Sequence, residues 1–208
     1  MIRSATLNKN TMSFVKTQSI ATGLGFLVII ILLLLDYEFL GKLYIPIYIF
    51  CNLLLVAVLV FGTGKDQWGS DSWLTIGSLT FQPAEFVKIG LIISLAKFID
   101  NHKEDINEPF TLLKILAFAF LPVGLILLQP DAGTAMVFIF FIAAMIFIAG
   151  VKWKYIGYAL GLGLLSLPVL WFTLDQYQKD RILDFIEPER DTSNTGYQAM
   201  QGRIAIGS

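Results

Sequence analysis

Charge is scarce in this sequence, and cysteine and histidine are nearly absent. Of 208 residues only 15% are charged, the formal net charge is −1, and there is one cysteine and one histidine. Without a basic excess or a basic stripe, nucleic acid is excluded as a partner. Cys51 cannot form an intrachain disulfide, and its place inside an apolar run reads as packing. His102 stands in the polar connection "DNHKED", which reads as solvated, and no cluster of ligand residues surrounds it, so no metal site is expected. Neither a Walker loop nor a Rossmann fingerprint occurs. "GLGLL" at Gly161 lacks the strand that a dinucleotide site needs and reads as close helix packing. The first sixteen residues lack the apolar core of about 7 to 15 residues that a secretory signal requires.

What the sequence has is apolar length. Hydrophobic residues make up 56% and the mean hydropathy is +0.70, well above a soluble domain of this size. Uninterrupted apolar runs fall at Thr17–Leu35, Leu43–Phe61, Leu112–Leu128, Ala132–Gly150 and Tyr155–Phe172, each near the roughly 20 residues a helix needs to cross hydrocarbon. A sixth, Pro83–Lys97, is shorter and carries Glu85 and Lys88, yet counts as spanning. The expectation is an all-α polytopic membrane helix bundle with about six transmembrane helices. Residues 1–16 read as an extracytoplasmic loop remnant, 17–173 as the transmembrane bundle, and 174–208 as the start of a large extracytoplasmic loop, too polar to cross. Thr17–Leu35 is also suited to serve as an uncleaved signal anchor.

Orientation follows from lysine and arginine in alternate loops. One set holds Arg3, Lys9, Lys16 and Lys65 with the tail's Lys179, Arg181, Arg190 and Arg203; the other holds Lys42, Lys97, Lys103, Lys114, Lys152 and Lys154. Long segments count little in the positive-inside rule, so with the tail discounted the second set marks the cytoplasmic side by a small margin. Trp68, Trp73, Trp153 and Trp171 fall near the expected interfaces, as an aromatic belt would have them.

Two motifs echo one another, "QPAEF" at Gln82 and "QPDAG" at Gln129. In each, Pro83 or Pro130 stands where a helix would begin, and an acidic residue, Glu85 or Asp131, follows where backbone N–H groups lack partners. One reading makes both carboxylates helix caps at the positive end of a dipole. Lys88 fits that reading poorly, because a cation in the first turns opposes the dipole and costs about 2.5 to 3.5 kcal/mol at membrane depth. It either snorkels to the interface beside Glu85, or faces a cavity with it and meets an anionic ligand. Two spans separate Gln82 from Gln129 and two more lead to the tail, so all three features face one side.

"SWLTIGSLTFQPAEFVKIG", "LLQPDAGTAMVF" and "YQKDRILDFIEPERDTSNTGYQAMQGRIAIGS" together resemble the bacterial shape, elongation, division and sporulation family, the group of RodA, FtsW and SpoVE. "YQKDRI", "GYQ" and "AIGS" are most similar to the RodA branch. The resemblance implies a peptidoglycan glycosyltransferase that polymerises lipid II on the outer face of the bacterial cytoplasmic membrane during elongation and rod-shape maintenance. Its implied partners are a class B penicillin-binding protein, the elongation machinery and membrane lipids. It carries over Glu85, Lys88 and Asp131 as cavity-lining residues and Gln82, Pro83, Gln129, Pro130 and Trp73 as framing positions. Family members often have arginine before that tryptophan, where this chain has Ser72. No cofactor is fixed; a divalent cation, magnesium or manganese, is left open.

Family members have about ten spans, so the resemblance also implies a fragment lacking the first helix and the C-terminal part. The expected catalytic aspartate then falls beyond residue 208, neither Asp184 nor Asp191 takes its place, and the chain is expected to be inactive alone. Two other functions compete: a lipid II flippase or other transporter, since broken helices with midplane charges suit carriers, and a non-catalytic scaffold for a penicillin-binding protein.

Overall fold

A computed structural model describes residues 11–34, 37–64, 70–76 and 79–173, with isolated positions at 179–180, 183, 202, 204 and 206–207. It divides into two units, Met1–Leu43 and Tyr44–Ser208.

In the first unit, α1 runs Thr11–Leu34 and α2 Tyr37–Lys42. Helix α1 starts six residues before the apolar run and inside the segment expected as loop, because Thr11 to Lys16 contain no glycine or proline to stop it. Its hydroxyls turn inward: Ser19 donates to the Val15 carbonyl and Thr22 to the Gln18 carbonyl, both at 2.8 Å. In a helix exposed over residues 16–31, these two bonds satisfy hydroxyls within the helix itself, as hydrocarbon demands.

The second unit holds α3 (Tyr44–Phe61), a hairpin of β1 (Leu74–Ile76) and β2 (Leu79–Phe81), α4 (Pro83–Asp100), α5 (Pro109–Leu127), α6 (Ala132–Ile148) and α7 (Trp153–Thr173). Helices α3 and α5 are each long and apolar enough to cross a membrane on length and composition; α6 is as apolar but shorter. With α1, α4 and α7 these make six long helices among the described residues, at the positions of the six expected spans. Large exposed side chains such as Ile89, Phe140, Leu165 and Phe172 line the outside, where a soluble protein would put polar groups.

The core forms where α4 lies against α3, α5 and α6. Val87, Leu91 and Leu95 recur every four residues, so one stripe of α4 is fully buried and meets Leu55, Ile115 and Phe138 in the same cluster. Gly90 lets α4 approach α3: a Cβ there would collide with the Cys51 sulfur and crowd Ile47. Cys51 is therefore packing, as expected. Gly90→Leu should lower stability by about 1–3 kcal/mol through overpacking, read as a drop in the thermal midpoint in detergent.

The two ends of the bundle are built differently. At one, Asn107 ties the α4–α5 loop to the α6–α7 loop, accepting from the Lys152 N–H at 2.7 Å, donating to the Gly150 carbonyl at 3.3 Å and offering its own carbonyl to the Tyr155 hydroxyl at 3.1 Å. His102 belongs here and is not simply solvated. It is half-buried, tilted against Phe98 with centroids 4.5 Å apart, and Phe98 stacks on Phe118, which stacks on Tyr48. The physical reason is aromatic area: a ring over a ring removes more apolar surface from water than a solvated ring would. At the other end, β1 and β2 pair antiparallel with Ile76 opposite Leu79, and a bridge between Thr63 and Trp73 closes the loop below them. Phe81 leads directly into α4.

Candidate functional site

The site begins where the hairpin becomes a helix. Gln82 is extended at φ −102° and ψ 109°, and Pro83 opens α4, where its fixed φ suits the first turn and its missing N–H costs no bond. Glu85 lies in that first turn, at the positive end of the dipole. One turn on, the Lys88 ammonium donates to Glu85 Oε1 at 2.8 Å. The side chains are 25% and 57% exposed, respectively, so the pair lies at the helix surface and contributes only about 0.2–0.5 kcal/mol. Stability does not account for placing two charges there.

Asp131 starts α6. Its Oδ1 accepts from the Thr134 N–H at 3.0 Å and its Oδ2 from the Thr134 hydroxyl at 2.8 Å, so it is a helix cap in the full sense. The Gln82 side-chain amide then crosses from the start of α4 and donates to Asp131 Oδ2 at 3.0 Å and to Thr134 Oγ1 at 3.3 Å. The two motif helices therefore begin beside one another, at the end of the bundle opposite Asn107. The tail expected on the same side lies outside the described residues, as do Asp184 and Asp191.

The remaining framing residues serve the scaffold. Gln129 is buried and donates to the Leu55 carbonyl of α3 at 3.1 Å. Trp73 bridges Thr63 through its backbone, at 2.8 and 3.2 Å. Ser72, just before Trp73, is buried and hydrogen-bonds Ser70 at 2.8 Å. Among the described residues no three of His, Cys, Asp and Glu gather as metal ligands. Glu85 and Lys88 thus form one hydrogen-bonded pair, and Gln82, Asp131 and Thr134 another group, joined by the first turns of α4. Thr134 was not singled out in the sequence, although a hydroxyl three residues after a capping aspartate is a readable signal.

The sequence model of the FtsW/RodA/SpoVE group, described as cell cycle proteins, matches residues 1–208. The chain belongs to the FtsW/RodA/SpoVE family. Among its family relatives, the peptidoglycan glycosyltransferase MrdB of Escherichia coli K12 is 37% identical over 167 residues, 78% of this chain and 43% of that protein. The rod shape determining protein RodA of Thermus thermophilus is 36% identical with a TM-score of 0.61, over 74% of this chain and 48% of the solved one. A chain of a peptidoglycan synthase complex, solved for its coordination of polymerization and crosslinking, is 37% identical with a TM-score of 0.73, over 92% and 56%. This member of the family spans about half the length of the relatives it matches.

Proposed function

We propose that these helices serve a peptidoglycan glycosyltransferase of the RodA type, which polymerises lipid II at the outer face of the bacterial cytoplasmic membrane during elongation and works with a class B penicillin-binding protein. One observation carries the reading: the hydrogen bond from Gln82 to Asp131, which puts a fixed carboxylate and a lysine–glutamate pair at the same end of the bundle. Relatives that share this family are named peptidoglycan glycosyltransferases or belong to a peptidoglycan synthase complex.

Chain growth joins a sugar hydroxyl to an anomeric carbon and expels a lipid pyrophosphate. Lys88, tied by a weak surface pair, exchanges Glu85 for the departing pyrophosphate at little cost, and a cation there stabilises the charge that develops on it. Asp131, held by three donors, presents an anionic acceptor to sugar hydroxyls. Neither is assigned as the base that takes the acceptor's proton.

Reconstituting the complete gene product with its penicillin-binding protein in proteoliposomes and supplying labelled lipid II tests this. Glycan strands are the expected product. Movement of lipid II across the bilayer without strands would replace the reading by a carrier, and co-purification with the partner with neither activity would replace it by a scaffold.

A further inference from the structure

The two glutamines that precede prolines are used in different ways. Gln129 is a strap inside the bundle, buried and bonded to a backbone carbonyl. Gln82 occupies the N-cap of α4, a position where Ser, Thr, Asp or Asn would fold back onto the orphan N–H groups. Its side chain makes no such bond. Instead its amide reaches a carboxylate 49 residues away.

Asp131 has no need of that donor for capping, because the Thr134 N–H and hydroxyl already supply the local bonds. A capped aspartate is fixed relative to its own helix. The Gln82 amide fixes it relative to another helix, and that helix carries Glu85 one turn and Lys88 two turns further on.

We propose that Gln82 is a positioning residue, whose amide holds the Asp131 carboxylate in register with the Glu85–Lys88 pair so that one sugar–pyrophosphate substrate meets both. This rests on the polymerase reading of the site. A group that holds a reacting constellation acts on the turnover step far more than on folding, since a misplacement of about 1 Å costs up to about a hundredfold in rate.

The test is a double-mutant cycle in the complete gene product with its penicillin-binding protein, assayed on labelled lipid II. Gln82→Met, which keeps length and removes the donor, should lower kcat roughly tenfold to a hundredfold, with KM changed less than about twofold and the thermal midpoint in detergent unchanged. In an Asp131→Asn background the same change should lower kcat by less than about twofold further, because a residue that acts only through Asp131 has little left to do. Should Asp131→Asn leave no measurable rate, Thr134→Val serves as the second background: it keeps the carboxylate but removes the other donor to Oδ2, so Gln82→Met should there cost more than it does in wild type. Effects that multiply independently, a change in KM alone, or a rate loss that follows the thermal midpoint would each overturn the inference. A wild-type preparation that makes no strands would instead overturn the polymerase reading and the positioning role with it.

Discussion

Replacing Lys88 by methionine in the complete gene product is expected to cut lipid II polymerisation roughly a hundredfold or more while leaving the bundle folded. The two halves of that expectation come from different numbers. The Glu85–Lys88 pair is a surface pair at i and i+3, so removing the ammonium forfeits only about 0.2–0.5 kcal/mol. Glu85, in the first turn of α4, still has the positive end of the helix dipole beside it. Methionine also removes the insertion cost of a lysine in a membrane helix, so the thermal midpoint should hold or rise slightly. Activity should move the other way, because a cation on the departing pyrophosphate is an interaction strengthened in the transition state, and loss of one such donor costs on the order of a hundredfold to a thousandfold in kcat.

The snorkelling reading predicts the opposite pattern. A lysine that only reaches the interface could be lost without change in rate, and unchanged strand synthesis by Lys88→Met would establish that reading. Lys88→Arg separates charge from shape: it keeps the cation but replaces a compact ammonium with a planar fork. Partial activity in Lys88→Arg beside near-silence in Lys88→Met would mark charge as the operative property.

The helices were legible in the sequence because membrane thickness sets their length. Each apolar run ends near the observed helix end, and even α4, weakened by Glu85 and Lys88, was betrayed by Pro83 at its first position. The hairpin was not seen. "LTIGSLTF" has strands of three residues, too short for alternation to register, and only its two-residue Gly-Ser connection carried a signal. Of the site, parity placed Gln82 and Asp131 on one side but could not place them side by side. Periodicity reports which face of a helix is apolar, not which neighbour it starts beside, so the bond between Gln82 and Asp131 belongs to tertiary packing alone. The same limit hid the setting of His102, which tilts against Phe98 of α4, itself stacked on Phe118 of α5. The capping reading of Asp131 holds, and the same carboxylate also accepts from Gln82 at the start of α4.

That double role makes Asp131 the residue where stability and activity can be pulled apart. Asp131→Ala removes the acceptor for three donors at once, the Thr134 N–H, the Thr134 hydroxyl and the Gln82 amide. Loss of a cap costs about 0.5–2 kcal/mol, and a half-buried donor left without a partner adds about 1–3 kcal/mol, so a total of about 1.5–5 kcal/mol is expected as a lowered thermal midpoint. Asp131→Asn should behave otherwise. Asparagine caps helices about as well as aspartate and its one carbonyl oxygen can accept from the Thr134 N–H, so what it loses is the charge and the second acceptor oxygen, the one that takes the Gln82 amide. Its thermal midpoint should therefore stay close to wild type, within about 1 kcal/mol, whereas strand synthesis should fall by roughly a hundredfold if a fixed negative charge orients the sugar hydroxyls. Equal activity of Asp131→Asn and wild type would confine the residue to capping. Equal instability of the asparagine and alanine variants would mean that the charge and the second carboxylate oxygen, which takes the Gln82 amide, hold α4 and α6 together.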